Sequence, residues 1–129
     1  MLVKGMTKKV MVVDDDPGVV FTVKRGMEDI DKDYEITTAT SGTECLKLLR
    51  NNQIPDLILL DIMMPDISGW EIYRKLKDND MWRNIPVVFL TARTDRIAKD
   101  AGSFLGEDYI EKPFKVPDLK LRIDKILKK

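Results

Sequence analysis

Three consecutive carboxylates, Asp14, Asp15 and Asp16, stand directly after the apolar run Val10–Val13, and a fourth, Asp61, stands after the run Asp56–Leu60. Thr91 and Ala92 follow the run Pro86–Leu90, and Lys112 follows Asp108–Glu111. Unpaired carboxylates brought together raise one another's proton affinity, and a hard divalent cation relieves that repulsion. Mg²⁺ suits such a site because it takes a few protein oxygens and completes its shell with water and phosphate oxygens. The chain has no histidine, and its one cysteine lies elsewhere, so zinc and the softer metals lack ligands here. An ionised Asp61 held near Mg²⁺ and the Lys112 ammonium is a nucleophile toward phosphorus. Charge developing on the phosphoryl oxygens then needs donors, which Mg²⁺, Lys112 and the Thr91 hydroxyl supply, while the small Ala92 leaves room for the group. Asp16 precedes Pro17 and is better used as a helix cap, which leaves Asp14 and Asp15 for the metal. On its own the Asp-Asp-Asp-Pro run would read as a solvated capping loop; its coincidence with Asp61 and Lys112 argues for a site.

That coincidence requires a fold that brings the ends of separate runs together. Five short runs, Val10–Val13, Glu35–Ala39, Asp56–Leu60, Pro86–Leu90 and Asp108–Glu111, alternate with amphipathic stretches. The first, third and fourth are continuously apolar, as strands covered on both faces must be, and the mixed second and last suit sheet edges. Helix signals lie between them. Asp16-Pro17 opens a first helix with Val20, Val23, Met27 and Ile30 along one face. Ser41-Gly-Thr-Glu44 and Ser68-Gly-Trp-Glu71 are capping boxes opening a second and third. Thr94–Leu105 predicts a fourth, and Leu119, Ile123, Ile126 and Leu127 form the stripe of a fifth. Five such units predict an α/β doubly wound fold: an open five-stranded parallel sheet with helices on both faces. Functional groups in such sheets gather beyond the carboxyl ends of the strands, where Asp14, Asp15, Asp61, Thr91 and Lys112 fall.

The remaining composition narrows the partners. With 129 residues the chain suits a single domain, taken as residues 8–129 after a short lead-in at 1–7, with no output domain. Lys+Arg and Asp+Glu both total 22, so no global charge points to nucleic acid or to an anionic membrane. No apolar run approaches a membrane span, and the start lacks a signal peptide, so a cytoplasmic protein is expected. Cys45, among Leu46, Leu48 and Leu49, reads as a core residue rather than a reactive thiol.

Four segments together, Val12-Val-Asp-Asp-Asp-Pro17, Leu59-Leu-Asp-Ile-Met-Met-Pro-Asp-Ile-Ser-Gly-Trp-Glu71, Phe89-Leu-Thr-Ala-Arg93 and Asp108-Tyr-Ile-Glu-Lys-Pro-Phe114, resemble the receiver domains of two-component response regulators in type, order and spacing. The resemblance covers nearly the whole chain and implies the flavodoxin-like (βα)5 form of that sheet. It implies that Asp61 is the phosphoacceptor, that Asp14 and Asp15 are the acidic metal pair with Asp15 the more direct ligand, and that Met63 lends its backbone carbonyl. Thr91 and Lys112 would hold the phosphoryl oxygens. Tyr109 would be a switch aromatic that turns inward when the Thr91 hydroxyl moves to the phosphate. The donor would be a histidine kinase or histidine phosphotransfer protein. Output would be a protein target met through the face of the fourth helix, fifth strand and fifth helix, with the chain a monomer or a phosphorylation-dependent dimer. Catalysis would be limited to the chain's own phosphorylation and dephosphorylation. One departure stands out: Ser103-Phe-Leu-Gly106 occupies the place where receivers often carry a Gly-Ala pair. The competing reading is a small phosphatase or phosphotransferase acting on an external substrate through an aspartyl-phosphate. Such enzymes need a second acid close after the nucleophile and a cap for the substrate, whereas Asp61 is followed by Ile62 and Met63. Met63 and Arg93 also bear on the lifetime of a phosphorylated form. Neither a thioether nor a guanidinium orients an attacking water, which predicts slow hydrolysis.

Overall fold

Side chains along a strand point alternately to opposite faces, and in this chain both faces find cover. The computed structural model describes residues 7–92 and 107–127. Within them run β1 (Lys8–Val13), α1 (Pro17–Ile30), β2 (Tyr34–Ala39), α2 (Gly42–Arg50), β3 (Leu57–Asp61), α3 (Gly69–Lys77), β4 (Val87–Thr91), β5 (Asp108–Glu111) and a C-terminal helix (Val116–Leu127). The strands form one parallel sheet in the order β2-β1-β3-β4-β5. The two mixed runs are indeed its edges.

Alternation then sorts the core into two layers. Met11, Val13, Ile58, Leu60, Val87 and Phe89 meet α2 and α3 through Cys45, Leu46, Leu49, Ile72 and Leu76. Val10, Val12, Leu57, Leu59, Val88 and Leu90 meet α1 and the C-terminal helix through Val20, Val23, Met27, Leu119 and Ile123. Each of these large apolar side chains gains roughly 1.5–3 kcal/mol from burial, so a one-residue slip that exposed a strand's inner set would be prohibitive. Cys45 sits in the first layer, and burial pushes its thiol up to about 12, the behaviour of a packing residue.

Helix starts follow the sequence signals. Asp16 caps α1 by accepting the Gly18 N–H at 2.9 Å, with Pro17 at the first helical position. Ser41 and Ser68 accept from the N–H groups of Glu44 and Glu71. The Glu44 carboxylate returns to the Thr40 N–H at 2.8 Å. Ile30, expected on the buried face of α1, is instead 50% exposed, because it is the last residue of the helix and the chain turns off at Asp31. Strand limits also move by a residue. Asp56 is held outside β3 by two bonds to Lys9, while Asp61 is still inside the ladder opposite Leu90. The predicted fourth helix, Arg93, the Ser103–Gly106 departure and residues 1–6 of the lead-in lie outside the described residues.

Asp66 links the loop after β3 to the start of α2, and nothing in the sequence pattern pointed to it. It accepts from Gly42 N–H at 3.2 Å, Thr43 N–H at 2.9 Å and the Thr43 hydroxyl at 2.8 Å. Partial burial works to raise its pKa, but these bonds outweigh that and hold it at about 2. A pKa lowered by folding stabilises the native state above the unfolded value of 3.8, and the gain is lost as pH falls toward 2. Asp66→Ala should therefore cost about 1 kcal/mol near neutral pH, as loss of a helix cap does. In urea unfolding the gap between variant and wild type should narrow as pH drops below about 4. A gap independent of pH would refute this account.

Candidate functional site

The parallel register brings β1, β3 and β4 to a common edge at their carboxyl ends, where Val13 pairs with Leu60 and Asp61 with Leu90. Just past β1, Asp14 is completely buried and Asp15 is exposed; Asp61 and Thr91, the last residues of β3 and β4, are 3% and 1% exposed. Asp61 thus belongs to the strand rather than to the loop after it. Its backbone is pinned, and only its carboxylate reaches the site.

Asp14, Asp15 and Asp61 each offer a carboxylate oxygen within 4.8 Å of the others. Lys112 enters from the end of β5, placed by its N–H donating to Thr91 O at 2.7 Å, and the Lys112–Pro113 bond is cis. Its ammonium lies 2.7 Å from Asp14 Oδ2 and 3.4 Å from Asp61 Oδ1, so Asp14 is its nearer partner. The first contact is an ion pair without hydrogen-bond alignment, and Asp14 Oδ2 makes no hydrogen bond among the described residues. Asp14 Oδ1 is occupied by the Asp16 N–H at 2.9 Å.

The electrostatics are those of a crowded acidic site. Burial, followed by the charge of Asp14, pushes the Asp61 carboxyl up to about 7, although Lys112 pulls the other way. For Lys112, burial favours the neutral amine, yet the two aspartates prevail and its pKa rises. One ammonium does not balance three carboxylates. The all-oxygen donor set, the unbonded buried Oδ2 and the raised Asp61 together fit a hard divalent ion such as Mg²⁺.

Thr91 donates its hydroxyl to Ala92 O at 2.8 Å. Ala92 and Lys112 line a cleft of about 560 Å³ that continues past Gly18 and Val19 of α1 to Phe114. Met63 is 62% exposed. Tyr109, expected to turn inward on phosphorylation, is 8% exposed, its ring stacked on Phe89 at 5.6 Å. Among the described residues, then, Asp14, Asp15, Asp61, Thr91, Ala92 and Lys112 converge, with Met63 and Tyr109 at the margins.

Gly69 was visible only as part of a capping box. Its N–H donates to Ile62 O at 2.8 Å, and a Cβ there would run into the Asp61 carbonyl oxygen and lie 2.8 Å from Ile62 Cα. A glycine opening a helix that follows a functional strand end is the signal that could have revealed this close approach.

Residues 10–124 match the family described as response regulator receiver domain. The chain is 40% identical over 118 residues to the response regulator SaeR of Staphylococcus epidermidis, an alignment covering 91% of this chain and 49% of that protein. It is 34% identical to the alkaline phosphatase synthesis transcriptional regulatory protein PhoP of Bacillus subtilis, covering 96% and 50%. The chain therefore spans about half the length of these curated relatives. A response regulator structure from Chloroflexus aurantiacus superposes with a TM-score of 0.85 at 30% identity, covering 95% of this chain and 99% of that one.

Proposed function

Because the chain belongs to the response regulator receiver domain family, we propose that it acts in phosphorelay signalling, that Asp61 is its phosphoacceptor and that Asp14, Asp15, Asp61 and the Met63 carbonyl hold Mg²⁺. The observation that carries this reading is the convergence of three carboxylates and Lys112 at one sheet edge. A histidine kinase or histidine phosphotransfer protein is the donor. An Asp61 oxygen attacks phosphorus, the new O–P bond forms as the P–N bond to the donor's histidine breaks, and the departing imidazole takes a proton. Mg²⁺, when bound, supplies positive charge for the phosphoryl oxygens and lets Asp61 stay ionised. Lys112 and the Thr91 hydroxyl donate to the same oxygens. Thr91 must give up its bond to Ala92 O to do so, and that exchange is the local event a switch can use. We read residues 8–129 as one receiver unit. Its targets meet the surface of the predicted fourth helix, β5 and the C-terminal helix, as a monomer or as a dimer formed on phosphorylation. No helix among the described residues is long and apolar enough to cross a membrane. Membership of the receiver family is what supports placing the protein in the cytoplasm.

Incubation with acetyl phosphate and Mg²⁺ should add a single phosphoryl group by intact mass. Sustained turnover of phosphate esters, with no stable adduct, would favour an enzyme acting on external substrates instead. Metal binding has its own readout. Trp70 follows Gly69, which abuts Asp61, so Mg²⁺ should change tryptophan emission. Asp15→Asn should weaken the Mg²⁺ affinity read from that response by about tenfold or more, since losing even an outer-shell partner costs that much. An unchanged titration would move the metal elsewhere.

The exposed Met63 stands two residues after Asp61 and has only a weak acceptor to hold an attacking water. Phosphorylated wild type should decay slowly after donor removal, and Met63→Asn, which adds an amide, should speed that decay several-fold. Equal decay rates would remove Met63 from the account of lifetime.

A further inference from the structure

The proposed function makes Thr91 one link between the phosphoryl site and Tyr109. The packing supplies a second on the same face of β4, through Phe89 two residues before Thr91. It begins at the Asp61 backbone, on which the first turn of α3 rests through Gly69, with the Gly69 N–H bonded to Ile62 O at 2.8 Å. The next residue, Trp70, places its ring 4.8 Å from Phe89, and Tyr73 places its own 5.5 Å from the same ring. Phe89 is wholly buried and stacks on Tyr109 at 5.6 Å with the ring planes 25° apart. Phe89 and Tyr109 are also register partners across β4 and β5. Thus one fully enclosed ring touches α3 on one side and the switch aromatic on the other.

Close-packed interiors transmit small displacements because no void absorbs them. A shift of the Asp61–Ile62 backbone has nowhere to go at Gly69 except into α3, and Trp70 and Tyr73 carry it to Phe89. Building on the reading of Tyr109 as the switch aromatic, we propose that Phe89 is a positioning residue. It couples the phosphoacceptor strand end to Tyr109 through α3, independently of the Thr91 hydroxyl. The consequence is that Thr91→Ala alone does not sever communication between Asp61 and Tyr109. Spatial contiguity by itself does not establish energetic coupling, so the test has to measure coupling.

The chain has three tyrosines, Tyr34, Tyr73 and Tyr109. Protein labelled with 3-fluorotyrosine therefore gives three ¹⁹F signals, assignable with Tyr34→Phe and Tyr73→Phe. Beryllofluoride with Mg²⁺ serves as the phosphoryl mimic, and its own bound ¹⁹F resonance reports occupancy of the site. In wild type the Tyr109 signal should shift on binding. Thr91→Ala should keep a reduced but resolved shift, Phe89→Leu should lose part of it, and the double variant should lose all of it. Trp70→Leu, altering a half-buried ring on α3, tests the same route if Phe89→Leu fails to fold. A structural role for Phe89 would lower stability but leave the Tyr109 shift of the folded, occupied protein unchanged, and that result overturns the proposal. So does complete loss of the shift in Thr91→Ala while beryllofluoride is bound. An occupied wild-type site with a stationary Tyr109 signal would instead remove the switch reading, and the proposal with it.

Discussion

Asp61→Asn should abolish labelling by acetyl phosphate while leaving a folded protein. The carboxylate is the nucleophile, and an amide in its place has no charge to attack with. The fold should survive because Asp61 is fixed by its place in β3 opposite Leu90 rather than by its side chain, whose hydrogen bond to Lys112 is long at 3.4 Å. The substitution also removes a carboxylate that burial and the Asp14 charge hold above its usual pKa, so stability at neutral pH should stay level or rise. Intact mass spectrometry and thermal unfolding on one sample give both answers. A phosphoryl group still gained by Asp61→Asn would sink the assignment. Lys112→Ala contrasts with it: the completely buried Asp14 loses the ammonium 2.7 Å away and is left as an uncompensated charge. That variant should be destabilised in chelator and regain stability as Mg²⁺ is added, because the cation takes over the role of counter-charge. Equal stability with and without Mg²⁺ would mean that the ion does not reach Asp14.

The second large effect is expected at a residue with no side chain. Gly69→Ala would press a methyl group against the Asp61 carbonyl oxygen and Ile62 Cα, both backbone, which cannot rotate aside. Overpacking of this kind costs about 1–3 kcal/mol. Relief requires either α3 or the end of β3 to move, and the second displaces Asp61. Misplacing a reacting group by about 1 Å can cost roughly 100-fold in rate. The phosphorylation rate of Gly69→Ala should fall by that order in protein that remains folded. Gly42→Ala is the matched control. The nearest atoms to a Cβ there are the Ile67 and Ile72 side chains at 2.9 and 3.1 Å and the Ile67 carbonyl oxygen at 3.3 Å, none of them in β3, so it should cost stability and spare the rate. A normal rate in folded Gly69→Ala would show that α3 yields and Asp61 does not.

The strand and helix order was legible because each segment carries its own signal. Continuous apolar runs marked the covered strands, mixed runs marked the edges, and Asp16, Ser41 and Ser68 marked helix starts. The acidic site was legible for a related reason. In a parallel sheet all strands end on the same side, so chemistry-bearing residues placed just after separate apolar runs must meet. Ends of elements were less readable: Ile30 continues the helical spacing but has run past the core, and Asp56 looks like the start of a strand until its bonds to Lys9 are seen.

What tertiary structure decided are the contacts between residues far apart in the chain, for which no periodicity exists. Asp66 reaches back to Gly42 and Thr43, Lys112 settles closer to Asp14 than to Asp61, and Gly69 closes on the Asp61 backbone. Phe89 reads in sequence as one more apolar strand residue, yet it gathers Trp70, Tyr73 and Tyr109 around a single ring. Residue type and spacing determined which groups stand at the strand ends and hence the class of chemistry. Pairing, burial and the seat of Tyr109 depend on how closely α3, β4 and β5 approach one another. That distance is set by side-chain volumes from three separate segments at once, so no single segment contains it.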